Sequence, residues 1–263
     1  MLSAQSDRQK LVDTEHAFAR MAAEHGTKAA FLANMTDDAL VFNPDMANGK
    51  AFWNARGESK GLLSWAPNYA DISSNGILGY TTGNWEYRAK GKDDSPAAFG
   101  DFITLWLRQP EGKYKFVIDI GVGHAKPERF SADWTTSTPD KSEQKAKVKP
   151  TNDAATAFYQ LAEANGVAKA IEKFADQNIR SYREDKFPVF GKKSVVKMMK
   201  SDKAAYSFAK RGTTFSSDDI SYNLNTYTKT QGGKIVEKGN FLQIWKFHGG
   251  KWHIVLDIFK PVP

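Results

Sequence analysis

Two aspartates carry the chemistry to be expected of this chain. Asp119 and Asp257 stand near the end of closely similar segments, Gly112-Lys113-Tyr114-Lys115-Phe116-Val117-Ile118-Asp119-Ile120 and Gly250-Lys251-Trp252-His253-Ile254-Val255-Leu256-Asp257-Ile258. Each is an acid in a run that otherwise alternates like a buried strand. A carboxylate buried without a partner has its pKa raised, which poises it as a general acid or base near neutrality. One paired with an arginine, or accepting backbone hydrogen bonds, stays ionised and fixes the sheet instead. The sequence leaves both readings open for Asp119 and for Asp257.

Other chemistries are poorly served. There is no cysteine, so thiolate nucleophiles, disulfides and cysteine-ligated metals are excluded. His16, His25, His124, His248 and His253 have no metal-ligand spacing with one another or with a carboxylate pair, so no metal is expected. Gly121-Val122-Gly123 lacks the third glycine and the following helix of a dinucleotide site, and neither a Gly-x-Ser-x-Gly turn nor a phosphate loop occurs. No cofactor is expected.

The elements that must hold these acids occur twice. Ala17 to Gly26 has a weaker copy at Ala157 to Gly166, and Gly100-Asp101-Phe102-Ile103-Thr104-Leu105-Trp106 returns as Gly239-Asn240-Phe241-Leu242-Gln243-Ile244-Trp245. With the aspartate segments these matches keep one order at an offset of about 140 residues, the length of a small domain. The spacing predicts a helix over 8–32 with Asp7 as its N-cap and Gly26 interrupting it, a strand at 39–42, a short helix from Lys50 to Arg56, and strands at 71–79, 82–90, 99–109 and 113–123. The second copy reads as a helix over 153–174, a strand at 178–182, a helix near 191–201, and strands at about 217–229, 234–248 and 251–260. Helices first and an antiparallel meander after them make each unit α+β. The expected organisation is a first domain at 1–124, a linker at 125–152 that is extended and partly mobile, and a second domain at 153–263.

The last hairpin shows most detail. Gly249-Gly250 suits a two-residue primed turn, which places His248 opposite Lys251, Trp245 opposite Ile254 and Leu242 opposite Asp257. One face then carries Phe241, Trp245, Phe247, Trp252, Ile254, Leu256 and Ile258, and the other carries Leu242, Ile244, Val255, Asp257 and Phe259. Both faces are apolar, so each needs a cover. The second cover must come from a partner, and the obvious partner is the other repeat.

Helix, strand, Pro and Gly loop, helix, long meander and a terminal Gly-Lys-aromatic segment ending in Asp resemble the nuclear transport factor 2-like superfamily, the SnoaL-like and ketosteroid-isomerase-like cone fold. The residues that carry the resemblance are Ala17-Phe18, Phe42-Asn43-Pro44 with Gly49, Gly79-Tyr80-Thr81-Thr82-Gly83-Asn84-Trp85, and Gly112-Lys113-Tyr114 through Asp119. They cover 8–124 well and 153–263 more loosely, since the Gly-x-Trp element is missing from the second copy. The resemblance implies two tandem cone-shaped α+β domains, each with N-terminal helices on a curved antiparallel sheet. It implies an intramolecular pseudo-dimer, and a hollow in each cone with Asp119 or Asp257 as the acid or base. A pocket tyrosine can act as an oxyanion donor in such enzymes, and Tyr80 and Tyr222 are conceivable counterparts.

The expected function is binding of an apolar or amphipathic small molecule in each cone, with Trp53, Trp65, Tyr80, Trp85, Tyr182 and Tyr222 as candidate ligand contacts. The alternatives are a cofactor-free isomerase, dehydratase or cyclase, or a non-catalytic interaction module. The net charge of +7 is concentrated in the second half, at Lys192, Lys193, Lys197, Lys200, Lys203, Lys210 and Arg211. Aromatic residues do not interleave with them as a nucleic-acid platform requires, so a solvated helix face is expected and a nucleic-acid partner is not. No stretch reaches the ~20 apolar residues of a membrane helix, so no membrane partner is expected. The start, Met1-Leu2-Ser3-Ala4, fits an exported protein with an added Met as well as a cytoplasmic one.

Overall fold

In the first half, helices α1 (Leu2–His25) and α2 (Thr27–Asn34) lead into β1 (Met35–Phe42), β2 (Met46–Asn48) and α3 (Gly49–Asn54), and then into four long strands, β3 (Leu62–Ile72), β4 (Leu78–Arg88), β5 (Ala98–Arg108) and β6 (Tyr114–His124). The second half repeats the plan with α4 (Asn152–Asn165), α5 (Val167–Phe174), β7 (Ala175–Arg183), β8 (Lys186–Phe190), α6 (Lys192–Ser201), β9 (Ala205–Phe208), β10 (Thr213–Ser217), β11 (Ile220–Gln231), β12 (Lys234–His248) and β13 (Lys251–Val262). These coordinates are a computed structural model that describes residues 2–129, 134–136, 151–209 and 212–263, with backbone alone for 2–6. The Lys-rich tract Lys141 to Pro150, expected to be mobile, lies outside the described residues, as do Lys210 and Arg211.

The chain divides into two compact units, Met1–Thr138 with Asp185–Phe187, and Pro139–Glu184 with Pro188–Pro263. Each is α+β, with helices packed on one sheet. The first sheet has the order β2-β1-β6-β5-β4-β3 and the second the order β10-β11-β12-β13-β7-β8, with β9 also on β11. Neither sheet is purely antiparallel: β1 runs parallel to β6, and β7 parallel to β13. The strand that leads out of the helices therefore lies beside the strand that ends the domain, which puts the aspartate strand in mid-sheet.

Glycine sets the break between the paired helices. Gly26 (φ 88°) and Gly166 (φ 87°) hold backbone conformations that a Cβ disfavours. Gly26 N–H closes α1 on Ala22 O, and Gly26 O accepts from Ala30 to start α2. Gly166 does the same between Ala162 and Ala170. Asp7 is not an N-cap, because α1 starts at Leu2. Its carboxylate instead takes a hydrogen bond from Lys10 (3.0 Å). The strand expected at 71–79 is also displaced. β3 ends at Ile72, and a turn from Ser73 to Leu78, closed by Ser73 N–H on Leu78 O, precedes β4.

A bulge at one residue decides which side chains face the helices. In β13, Val255 has no partner between the pairs Trp245↔Ile254 and Ile244↔Leu256, and in β6, Val117 has none between Trp106↔Phe116 and Leu105↔Ile118. The extra residue reverses the alternation beyond it. Asp257 is thus opposite Gln243, not Leu242. Asp257 and Phe259 join Phe241, Trp245 and Ile254 on the helix side, while Leu242, Ile244, Leu256 and Ile258 take the far face. Phe18, Phe31, Trp106 and Phe116 centre the first core, and Phe158, Phe241, Trp245 and Phe259 the second. In α6, Val195, Val196 and Met199 are buried and Lys193 and Lys197 exposed, an amphipathic helix with a solvated basic face.

Candidate functional site

The helix face of the first sheet carries a row of polar residues through its apolar floor. Thr81, Thr104 and Asp119 are cross-strand partners on β4, β5 and β6, and Val41 on β1 completes the row. Above it α1 presents Glu15, wholly buried. Glu15 Oε1 accepts from Trp65 Nε1 (2.6 Å), and Oε2 accepts from Thr81 Oγ1 (2.6 Å) and Trp106 Nε1 (3.1 Å). Trp106 Nε1 also lies 3.0 Å from Thr81 Oγ1. Asp119 Oδ2 accepts from Thr104 Oγ1 at 2.7 Å.

Burial dominates the electrostatics of both acids. It pushes Glu15 up to about 7; the bonds from Thr81, Trp65 and Trp106 pull the other way, and the charge of Asp119 adds to the rise. Asp119 is likewise pushed up to about 6 by burial, against the Thr104 hydrogen bond. Asp119 nevertheless keeps part of its surface accessible, whereas Glu15 keeps none. The charge of the outer acid thus helps raise the pKa of the inner one. The two carboxyl groups therefore have raised and different pKa values.

Glu15 escaped the sequence reading. Its signal is present, since Leu11, Glu15, Phe18 and Ala22 lie on one stripe at helical spacing, with an acid where an apolar residue belongs.

The repeat-equivalent Asp257 has a different setting. It is fully buried and accepts from Ser181 Oγ (2.6 Å), Arg183 Nη1 (2.9 Å) and Arg183 Nη2 (3.3 Å). The guanidinium also lies over the Phe259 ring, 4.1 Å from its centroid. Asp257 is therefore an ion-paired structural acid, and the free-acid reading does not apply to it. Ala155 stands where α1 carries Glu15, so the second domain has no acid pair.

The six candidate ligand contacts separate into two groups. Trp65 bonds Glu15, and Trp53 packs on Phe31 with ring centroids 4.7 Å apart. Trp85 shares the helix face, with its indole over Gly100 and Gly121 and Nε1 bonded to Asp101 O (3.1 Å). A Cβ on Gly100 would meet that ring at 2.4 Å. Tyr80, Tyr182 and Tyr222 lie on the far face, opposite Leu105, Ile258 and Ile244. They do not share a hollow with either aspartate. An oxyanion role beside Asp119 or Asp257 is therefore ruled out by strand parity. On that far face Asp101 lies 2.9 Å from His124 Nε2 and accepts from Asn84 Nδ2 (2.7 Å), a second buried pair that sequence reading missed. Among the described residues no group of three or more His, Asp or Glu is placed to hold a metal, and no helix is long and apolar enough to cross a membrane.

No protein-family model matches the chain, and no curated protein matches it. Solved structures similar to it include nuclear transport factor 2-like proteins and a protein with a cystatin-like fold, each aligned with about two fifths of the chain. A nuclear transport factor 2-like protein of unknown function from Pseudomonas putida is 11% identical, covering 41% of this chain and 82% of its own, with a TM-score of 0.37. Another from Cytophaga hutchinsonii is 12% identical, covering 43% and 100%, with a TM-score of 0.36. A cystatin-like protein of unknown function from Nostoc punctiforme is 11% identical, covering 43% and 90%, with a TM-score of 0.36.

Proposed function

We propose that the first domain binds an apolar or amphipathic small molecule on the helix side of its sheet, with Asp119 as the polar contact and Trp53, Trp65 and Trp85 as the aromatic wall. The observation that carries this reading is the partial accessibility of Asp119 in otherwise buried surroundings. A group that must be desolvated and is still reachable suits a ligand site better than a core. Native mass spectrometry of the purified protein tests it. A retained small molecule that is lost in Asp119→Ala is the expected result; an unliganded mass, together with no binding of apolar fluorescent probes, opposes it.

A second reading is favoured by the acid pair itself. Carboxyl groups near 6 and 7 support a cofactor-free proton-transfer reaction of isomerase, dehydratase or cyclase type, with Asp119 as the acid or base and its pKa held up by burial. An NMR titration of Asp119 is expected to give a midpoint near 6. A midpoint at the ordinary carboxylate value of about 4 sinks this reading and leaves simple binding.

A further inference from the structure

The two domains hold the same polar constellation, but in the second its acceptor is missing. Trp245 is the repeat equivalent of Trp106, Asn223 that of Thr81, Gln243 that of Thr104, and Ala155 that of Glu15. The registers agree: Thr81↔Thr104↔Asp119 corresponds to Asn223↔Gln243↔Asp257. In the first domain the Glu15 carboxyl gathers the Trp106 and Thr81 donors. In the second, Ala155 ends at Cβ and gathers nothing.

The consequence is visible in the hydrogen-bond inventory. Trp245 Nε1, Asn223 Nδ2, and both Nε2 and Oε1 of Gln243 are buried with no hydrogen-bond partner. Trp245 and Gln243 are fully buried, and Asn223 is 4% exposed. All three side chains lie on the helix side of β11 and β12, in adjacent rows. An unsatisfied buried group costs free energy, and four such atoms from three neighbouring residues call for a partner that the described residues do not supply. The unmet set is several N–H donors and one carbonyl acceptor. An undissociated carboxyl group supplies its complement, a carbonyl oxygen for the N–H groups and an O–H for Gln243 Oε1. Phe158, Phe241 and Phe259 in the same core offer an apolar seat for the rest of such a molecule. The charges that face this place are Asp257 and Arg183, which neutralise one another at 2.9 Å.

We propose that the second domain binds a small carboxylic acid whose carboxyl group takes the place that the Glu15 side chain fills in the first domain. This deepens the ligand-binding reading for the second cone and uses no residue of the Glu15–Asp119 pair. The test follows the indole N–H resonance of Trp245 in isotope-labelled full-length protein during titration with propionic acid at about pH 5, with propanol as the control for the tail. Saturable movement of that resonance by propionic acid and not by propanol is expected. Ala155→Glu, which puts an internal carboxyl in the place, is expected to move the resonance in the absence of ligand and to abolish the response. Gln243→Leu is expected to weaken binding by about tenfold or more, and serves if Ala155→Glu does not fold. A Trp245 resonance unmoved at high millimolar propionic acid overturns the proposal, as does an undiminished response in either folded variant. The Trp65 and Trp106 indoles report on the first domain in the same spectra, so failure in one cone is distinguishable from failure in the other.

Discussion

Glu15 and Asp257 show how one change of neighbour reverses what a buried acid does. Glu15 has three neutral donors and no cation, so burial wins and its pKa rises to about 7. Its ionisation must be felt by the indoles that bond it. The N–H resonances of Trp65 and Trp106 are expected to titrate with a midpoint near 7, and to stop doing so in Glu15→Gln. Asp257 has Arg183 against it, and Arg183 in turn is largely shielded. Removing one member of a buried pair leaves the other uncompensated, so Asp257→Ala should cost about 3–5 kcal/mol in denaturant unfolding, most of it from the stranded guanidinium. Asp257→Asn keeps an acceptor for Ser181 and should cost less. Neither partner of these acids was legible in the sequence. Arg183 and Asp257 are distant in the chain, and nothing in either segment says that β7 lies beside β13.

At the scale of the element, the bulge at Val117 and Val255 is the device that aims the acids. Without it, strict alternation from Gly249-Gly250 turns Asp257 to the far face, which is where the sequence pattern alone places it. The pattern could not show the bulge, because valine fits a regular strand as well as a bulged one and every neighbouring position is apolar. Deletion of Val255 is expected to give regular pairing with Asp257 still opposite Gln243 and Phe259 still opposite Phe241, both on the helix side, so the Asp257–Arg183 contact is expected to survive. Loss of the Asp257–Arg183 contact in a folded deletion variant would contradict this account of the register. The glycines at 26 and 166, by contrast, were readable, since a glycine within an apolar helical stripe signals a break.

For the whole molecule, the duplication predicts that two similar folds respond differently to pH. An acid with a raised pKa in the folded state favours folding below its unfolded value and loses that contribution as pH rises through its folded value. For Glu15 the window runs from about 4.5 to about 7. The loss across it amounts to about 3 kcal/mol, and Asp119 acts in the same direction. Hydrogen exchange is expected to show the slowest amides of β5 and β6 losing protection between these limits, and to show the loss much reduced in Glu15→Gln. Equal loss in β12 and β13, where Ala155 replaces Glu15, would count against this assignment.

The sequence by itself determined the duplication, the order of helices and strands, the helix breaks and the place of the two aspartates near the end of each copy. These are local properties: periodicity, glycine and turn chemistry act within a few residues of one another. Tertiary structure alone decided that Asp119 faces Glu15 from α1, that Asp257 faces Arg183 from β7, and that Tyr80, Tyr182 and Tyr222 turn away from both. Each of those outcomes depends on a parallel strand pairing or a one-residue bulge, and a buried acid takes its charge from whatever those long-range contacts bring beside it.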